Sequence, residues 1–294
     1  FNAVSETIFP KEDWTTLQLE EMLVYNKYGL KIDISPPTNG LYRAPIKVLG
    51  LSIDVYTQYD YPFGGQGKGM PSDMKGPQYL VDLYALVTYN EDPVQQKLVG
   101  FDIRHGEFYI YRENYTDVNG IAWVQFRIPW PCVDPVGRVF GEWTVNASVE
   151  VAQQRVYDTL AFKVWWLVEI TSVASKYTQY IKIKDDMPTM EFEVKYRTYS
   201  MQILPVIITV VVYDELGFFI GSDTFTTTVG WGEYDHYCTF KNYTKQFAIP
   251  MPSHAVVGVA TVYADAFDML PWDGGVPYCP EKSDTFFIVR YVGP

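Results

Sequence analysis

The sequence predicts an all-β protein in which an N-terminal extension precedes two tandem antiparallel β-sandwiches. Short runs of alternating apolar and polar residues indicate strands, and turn signals separate them at spacings of about 8–12 residues. The chain has 294 residues and 48% hydrophobic content, enough for two cores of roughly 100–150 residues each. We divide it into an extension over residues 1–45, a first sandwich over 46–166 and a second over 167–294.

The clearest alternation lies in residues 116–166. A turn leads into a strand over 121–129, whose alternate residues share one face of a sheet: Ala122, Val124, Phe126 and Ile128. A loop rich in Pro and Gly follows, and residues 143–151 and 158–164 continue the strand pattern. This order is typical of the closing half of an antiparallel sandwich, and it contains no catalytic motif.

Strand-like runs upstream complete the first sandwich, at residues 48–56, 80–89, 98–103 and 107–112. The loop over residues 59–76 is rich in glycine, as phosphate-binding loops are. No Lys-Ser/Thr pair follows its last glycine and no helix pattern begins there, so a surface loop is favoured.

The second sandwich follows the first without a flexible linker. Residues 165–170 are apolar and contain no Ser/Gly run, which indicates a stiff joint. Residues 205–213 are mostly β-branched and predict a central strand buried on both faces. Further strands are predicted at residues 191–196, 255–264 and 285–289.

The N-terminal extension has a different pattern. Acidic residues in a first turn and spaced apolar residues predict a helix over about 10–29. Residues 30–35 alternate like a single strand, which needs an edge of its own domain or of another subunit. We expect Leu30, Ile32 and Ile34 to fill a groove in a neighbouring subunit.

Charge and patterning restrict partners and location. A net charge of −12 argues against nucleic acid and anionic membrane surfaces, and no apolar run reaches the roughly 20 residues of a spanning helix. Phe1 in place of Met suggests a mature terminus. Glycosylation sequons begin at Asn114, Asn146 and Asn242, and Asn146 falls on the outward phase of its strand. We expect a secreted protein, extracellular or on the cell surface.

Several segments carry a resemblance to a known family. They resemble the Ig-like repeats of large secreted archaeal surface proteins, and also macroglobulin-type and invasin-type sandwiches: residues 83–94, 116–122, 126–129 and 140–145, with 249–266 and 274–281 in the second half. The resemblance implies two Ig-like sandwiches used as an extracellular building block. It supplies no active-site positions.

The cysteines are Cys132, Cys238 and Cys279. Cys238 and Cys279 lie in the second half and are candidates for a disulfide, which leaves Cys132 odd. The alternative is three buried thiols that act as small hydrophobic residues.

The sequence predicts no enzyme. The histidines His105, His236 and His254 lie beside turns with no nucleophile motif, and exposed loop positions are favoured for them. Glu142 and Asp158 are interpreted as strand-edge charges. No cofactor is expected, although structural calcium stays open at Asp117, whose surroundings also fit a hairpin turn in which Asn-Gly supplies positive φ.

Aromatic residues make up 17% of the chain. Trp123 and Trp130 are expected on the outward phase, as contacts with another subunit. We therefore expect a non-catalytic structural subunit that polymerises head-to-tail with copies of itself, by donating an N-terminal strand. The alternative is a monomeric adhesin or carbohydrate-binding module, with other surface proteins or glycans as partners.

Overall fold

The computed structural model describes residues 13–18, 24–25, 31–32, 43–48, 50–131, 136–183 and 187–290. Side chains are described from residue 50 onward, except that of Val136. Strands dominate these ranges, which confirms the all-β prediction. No helix within them is long and apolar enough to cross a membrane.

The described residues before residue 50 form four short strands: β1 (Asp13–Gln18), β2 (Val24–Tyr25), β3 (Lys31–Ile32) and β4 (Arg43–Val48). β1 pairs antiparallel with β4, and β2 with β3. The helix predicted over 10–29 is therefore wrong at β1, where Thr15 and Thr16 favour an extended backbone. Ile32 pairs within its own chain, whereas Leu30 and Ile34 lie outside the described residues.

The first sandwich consists of two sheets and one helical turn. Its elements are β5 (Leu51–Thr57), β6 (Leu80–Tyr89), β7 (Asp92–Pro93), β8 (Leu98–His105), β9 (Phe108–Tyr115), β10 (Ile121–Arg127), α1 (Val136–Val139), β11 (Gly141–Val151) and β12 (Gln154–Val164). One sheet has the order β10-β6-β5, with β7 on β6, and the other the order β12-β11-β8-β9.

Alternate residues of both sheets form one hydrophobic cluster between them. The inward face predicted for β10 is confirmed, because Ala122, Val124, Phe126 and the following Ile128 are all buried. Trp143 of β11 is fully buried among them and donates its indole N–H to the carbonyl oxygen of Val139 at 2.9 Å. The short α1 helix thus closes one end of this core.

The second sandwich also has two sheets. Its strands are β13 (Val168–Ser175), β14 (Gln179–Lys182), β15 (Thr189–Thr198), β16 (Leu204–Tyr213), β17 (Phe219–Val229), β18 (Lys241–Pro250), β19 (Gly258–Phe267) and β20 (Lys282–Arg290). The sheet orders are β13-β15-β18 and β14-β20-β19-β16-β17. Two 3₁₀ turns, Tyr234–His236 and Pro271–Asp273, lie in its loops.

The central position predicted for residues 205–213 is confirmed. β16 lies between β17 and β19, and Val206 through Val210 are buried on both faces of the sheet. β14 and β18 were not predicted from the sequence. β14 pairs parallel with β20 over four residues, and β18 alternates half-buried and exposed residues along most of its length.

Candidate functional site

The region where the two sandwiches meet contains two buried charged side chains, Asp73 and Lys75, and buried charges are rare in protein interiors. β12 ends at Val164 and β13 begins at Val168, so three residues connect the two cores. Trp165, the first of them, packs against Phe140 of the first sandwich and Tyr199 of the second, with ring centroids 4.7 and 6.4 Å apart. We call this region the junction and define it by the connection 165–167 and the loops around it.

Asp73 ties the two sandwiches together at the junction. Its carboxylate is 1% exposed and accepts hydrogen bonds from the backbone N–H groups of Met201 and Gln202, both at 3.0 Å. The Ser200 hydroxyl and the Gln202 amide donate to the same carboxylate at 3.1 and 3.2 Å. A buried carboxylate with this many donors is well satisfied, so it holds the loop between β15 and β16 to the first sandwich.

Lys75 is buried two residues further along the same loop. Its ammonium lies 3.0 Å from the ring centroid of Tyr59 and donates to the Thr57 hydroxyl at 3.3 Å. Burial lowers the pKa of Lys75 well below its ordinary value, while the negative charge of Asp73 acts in the opposite direction. The aromatic ring and the nearby carboxylate compensate for the water that Lys75 has lost.

The backbone of this loop extends the sheet of β12. Ser72 N–H donates to the Ala161 carbonyl at 2.8 Å, Lys75 N–H to the Lys163 carbonyl at 3.0 Å, and Trp165 N–H to the Lys75 carbonyl at 3.2 Å. The surface position expected for the loop over 59–76 is therefore wrong for residues 72–75, all of which are buried. The loop covers an edge strand that would otherwise expose unpaired backbone groups.

Aromatic side chains surround this polar centre. Trp130 packs edge-to-face on Trp166 at 5.7 Å and is half-buried, so its predicted outward position is wrong. β10 ends at Arg127, so the alternation of the strand no longer applies at Trp130. From the loop that follows the strand, Trp130 packs against its own chain. Tyr234 from the second sandwich donates its hydroxyl to the Pro71 carbonyl at 2.5 Å, which adds another tie across the junction.

Trp123 has the outward position that the sequence predicts. It is 46% exposed, and its indole N–H donates to Asp82 at 3.1 Å. Across the outer face of the first sandwich it stands opposite Tyr84, which in turn stands opposite Tyr56. The two tyrosine rings are parallel within 16° at 5.4 Å, so three aromatic side chains form a row across three strands.

The candidate titratable residues are not brought together. His254 is exposed as predicted, but His105 is half-buried and stacks on Trp143 at 5.1 Å. Asp158 is buried rather than an ordinary strand-edge charge, because its carboxylate accepts the N–H groups of Val55 at 3.0 Å and Gly69 at 3.2 Å. It thereby caps a free N–H group of edge strand β5.

Asp117 forms a turn, but the predicted hairpin is wrong, because the strands on either side of the turn, β9 and β10, belong to different sheets. Its carboxylate accepts the N–H groups of Asn119 and Ile121, both at 2.9 Å, and Gly120 has a φ of +75°. These hydrogen bonds lower the pKa of Asp117.

A cluster that the sequence did not indicate, Glu233 with Asp235 and His236, brings three potential metal-ligand atoms within 4.8 Å of one another.

The predicted disulfide between Cys238 and Cys279 is wrong, because both residues are free thiols. Cys279 is buried in the second core, where its sulfur accepts the N–H of Ile170 at 3.3 Å and burial raises its pKa to about 11. Cys238 lies in a loop at the junction beside Tyr237. The two sulfurs thus occupy different environments, and Cys132 lies outside the described residues.

The three sequon asparagines differ in exposure. Asn114 and Asn242 are exposed on β9 and β18. Asn146 points away from the core as predicted, but it is half-buried in a groove of about 430 Å³ beside Asp102 and Thr159. Its Oδ1 atom is buried and accepts no hydrogen bond within the described part of the chain. Glycosylation at all three stays a prediction.

No family model and no curated protein matches this chain. Among solved structures, a tetra-tandem repeat from the extending region of a large adhesion protein is 14% identical, with a TM-score of 0.28 over 95% of this chain and 57% of that one. Trypsin-activated alpha-2-macroglobulin from Escherichia coli is 9% identical, with a TM-score of 0.32 over 92% of this chain and 19% of that one. The chain thus spans less than two thirds of the length of both proteins.

Proposed function

We propose that this chain is a non-catalytic structural subunit of an extracellular assembly, a filament or surface layer. Copies join head-to-tail when an N-terminal strand from one subunit is donated to the next. A contact of this heterologous kind repeats without closing, so it builds an extended polymer. The proposal includes secretion and glycosylation at Asn114, Asn146 and Asn242.

The observation that carries this proposal is the buried junction. Asp73 receives donors from both sandwiches, and Lys75 fills the space beneath it in contact with Tyr59. Bending the two sandwiches apart would break the hydrogen bonds to Asp73 and expose the surrounding aromatic rings to water, and the exposure of apolar surface is unfavourable. A unit joined in this way transmits force along its length, as a subunit of a filament must.

The test compares the intact chain with a variant that lacks residues 1–45, by electron microscopy and size-exclusion chromatography. We expect filaments or sheets from the intact chain and a folded monomer from the truncated one. Thermal melting of both proteins establishes that the truncated chain is folded. Monomers of equal stability in both samples would refute the assembly.

A second function, carbohydrate binding, is favoured by the aromatic row of Trp123, Tyr84 and Tyr56. Sugar rings stack their apolar faces on such side chains, and Asp82 and Gln125 lie beside the row as hydrogen-bonding groups. Affinity electrophoresis in polysaccharide gels tests this function with Trp123→Ala, and Trp272→Ala is the control because Trp272 is 75% exposed elsewhere. Retardation that only Trp123→Ala abolishes would support it.

A further inference from the structure

An apolar stripe crosses the outer face of the five-stranded sheet in the second sandwich. Each strand contributes one side chain that is between 37% and 54% exposed: Ile181 of β14, Phe287 of β20, Val259 of β19, Tyr213 of β16 and Phe219 of β17. Val259 stands opposite Phe287, and Tyr213 opposite Phe219. Contiguous apolar surface on this scale marks a contact with another molecule.

The loop after β16 enlarges this surface. Leu216 and Phe218 are 65% and 60% exposed at its tip. The turn itself is firmly held, because the Asp214 carboxylate accepts the N–H groups of Leu216, Phe218 and Val256, each at 3.0 Å. The apolar side chains are therefore presented on an ordered turn.

An acidic groove of about 600 Å³ begins at the apolar stripe. Tyr213 and Val259 belong to both, and the groove extends along β16 and β19 to Asp265 and Glu281. Asp265 is half-buried, and within the described residues it accepts no hydrogen bond and forms no ion pair. The surface thus combines an apolar centre with unpaired negative charge at one side, which complements an apolar segment that carries a lysine.

The positions of the two ends determine which segment can reach this surface. β16 begins beside the junction and ends at Tyr213, so the stripe lies at the end of the second sandwich away from the junction. β5 begins at Leu51, opposite Tyr89, and ends at Thr57, whose hydroxyl is hydrogen-bonded to that of Ser72 in the loop at the junction. The N-terminal extension therefore joins the first sandwich at its end away from the junction. In a head-to-tail array these two ends face each other.

We propose that the apolar stripe and the acidic groove bind residues 24–35 of the next copy. Leu30, Ile32 and Ile34 pack on the stripe, and Lys27 places its ammonium in the groove. This inference rests on the proposed function and refines it: the donated segment packs on the outer face of the five-stranded sheet and does not add a strand to its edge. Apolar contact supplies the affinity, and the lysine fixes the register.

Photo-crosslinking tests the contact in the full chain. Ile32→p-benzoylphenylalanine is prepared with and without ¹⁵N labelling, the two are mixed, and crosslinked peptides are identified by mass spectrometry. We expect crosslinks between copies that end in residues 213–219, 257–259 or 287. Crosslinks between copies at another surface overturn this inference and leave the assembly intact. A lack of crosslinks between copies overturns both.

Two sets of variants test the same contact without a crosslinker. Phe287→Glu should raise the concentration needed for assembly about tenfold or more, because it places a charge in the apolar stripe. Trp272→Glu, at a 75% exposed residue in the loop after β19 near the junction, should leave it unchanged. Lys27→Glu and Asp265→Lys should each weaken assembly, and their combination should restore it. Equal effects of Phe287→Glu and Trp272→Glu, or no restoration, contradict the proposed contact.

Discussion

At the scale of single residues, Asp265 makes the clearest prediction about pH. Burial, with a smaller effect from Glu281, raises its pKa from 3.8 to about 6. The folded state therefore favours the protonated carboxyl. The resulting stability is fully present below about pH 4 and is lost as pH rises through about 6.

We expect Asp265→Asn to be more stable than the parent chain at pH 8 and to flatten the change in stability between pH 4 and 7. Urea unfolding at several pH values measures this. Asp60→Asn is a suitable control, because Asp60 is exposed in the loop after β5. A parent-like pH profile in Asp265→Asn would show that the carboxyl titrates without influence on folding.

At the scale of structural elements, the loop between β17 and β18 depends on a glycine. Gly230 follows β17 with a φ of +131°, and a Cβ atom there would lie 2.0 Å from the carbonyl oxygen of Gln202. Only glycine permits both this backbone conformation and this close approach. The position brings the loop against residues that Asp73 holds.

We predict that Gly230→Ala lowers the free energy of unfolding by about 3 kcal/mol, from backbone strain and the clash with Gln202 together. Gly137→Ala is the matched control, since a Cβ atom on Gly137 would meet nothing within 4 Å. Denaturant unfolding of both variants measures the difference. Equal stability of the two would mean that the loop relaxes away from Gln202 without loss.

Whole strands show where local patterning is sufficient. β6 lies at the residues that the alternation predicts, and β10 has its predicted inward face, because one buried face imposes a period of two. β18 was missed because its outer residues are polar and its inner ones only partly buried. The N-terminal helix was predicted from acidic residues in a first turn and from the spacing of apolar residues, and pairing of β1 with β4 overrides both signals.

At the scale of the whole molecule, the junction should make the two cores unfold together. Asp73→Ala removes the acceptor for Met201, Gln202 and Ser200 and leaves Lys75 without its nearby negative charge. We expect a loss of about 3–5 kcal/mol, the usual result of removing one partner of a buried charged network.

Calorimetry measures the consequence for cooperativity. The parent chain should unfold in one transition, and Asp73→Ala in two, because the cores are then coupled mainly through residues 165–167 and the hydrogen bond from Tyr234 to Pro71. Asp60→Ala in the same loop should keep one transition. Two transitions in the parent chain would mean that the junction transmits little energy between the sandwiches.

The sequence by itself determined the all-β class, most strand positions, the central burial of β16 and the outward position of Trp123, because these follow from alternation along a few neighbouring residues. The tertiary structure alone decided the burial of Asp73, Lys75 and Asp158, the packing of Trp130 on Trp166, and the free state of Cys238 and Cys279. It also brought the apolar stripe together from five strands that are distant in sequence. The physical reason is that burial of a charge or an aromatic ring depends on partners tens of residues away, and no local period encodes them.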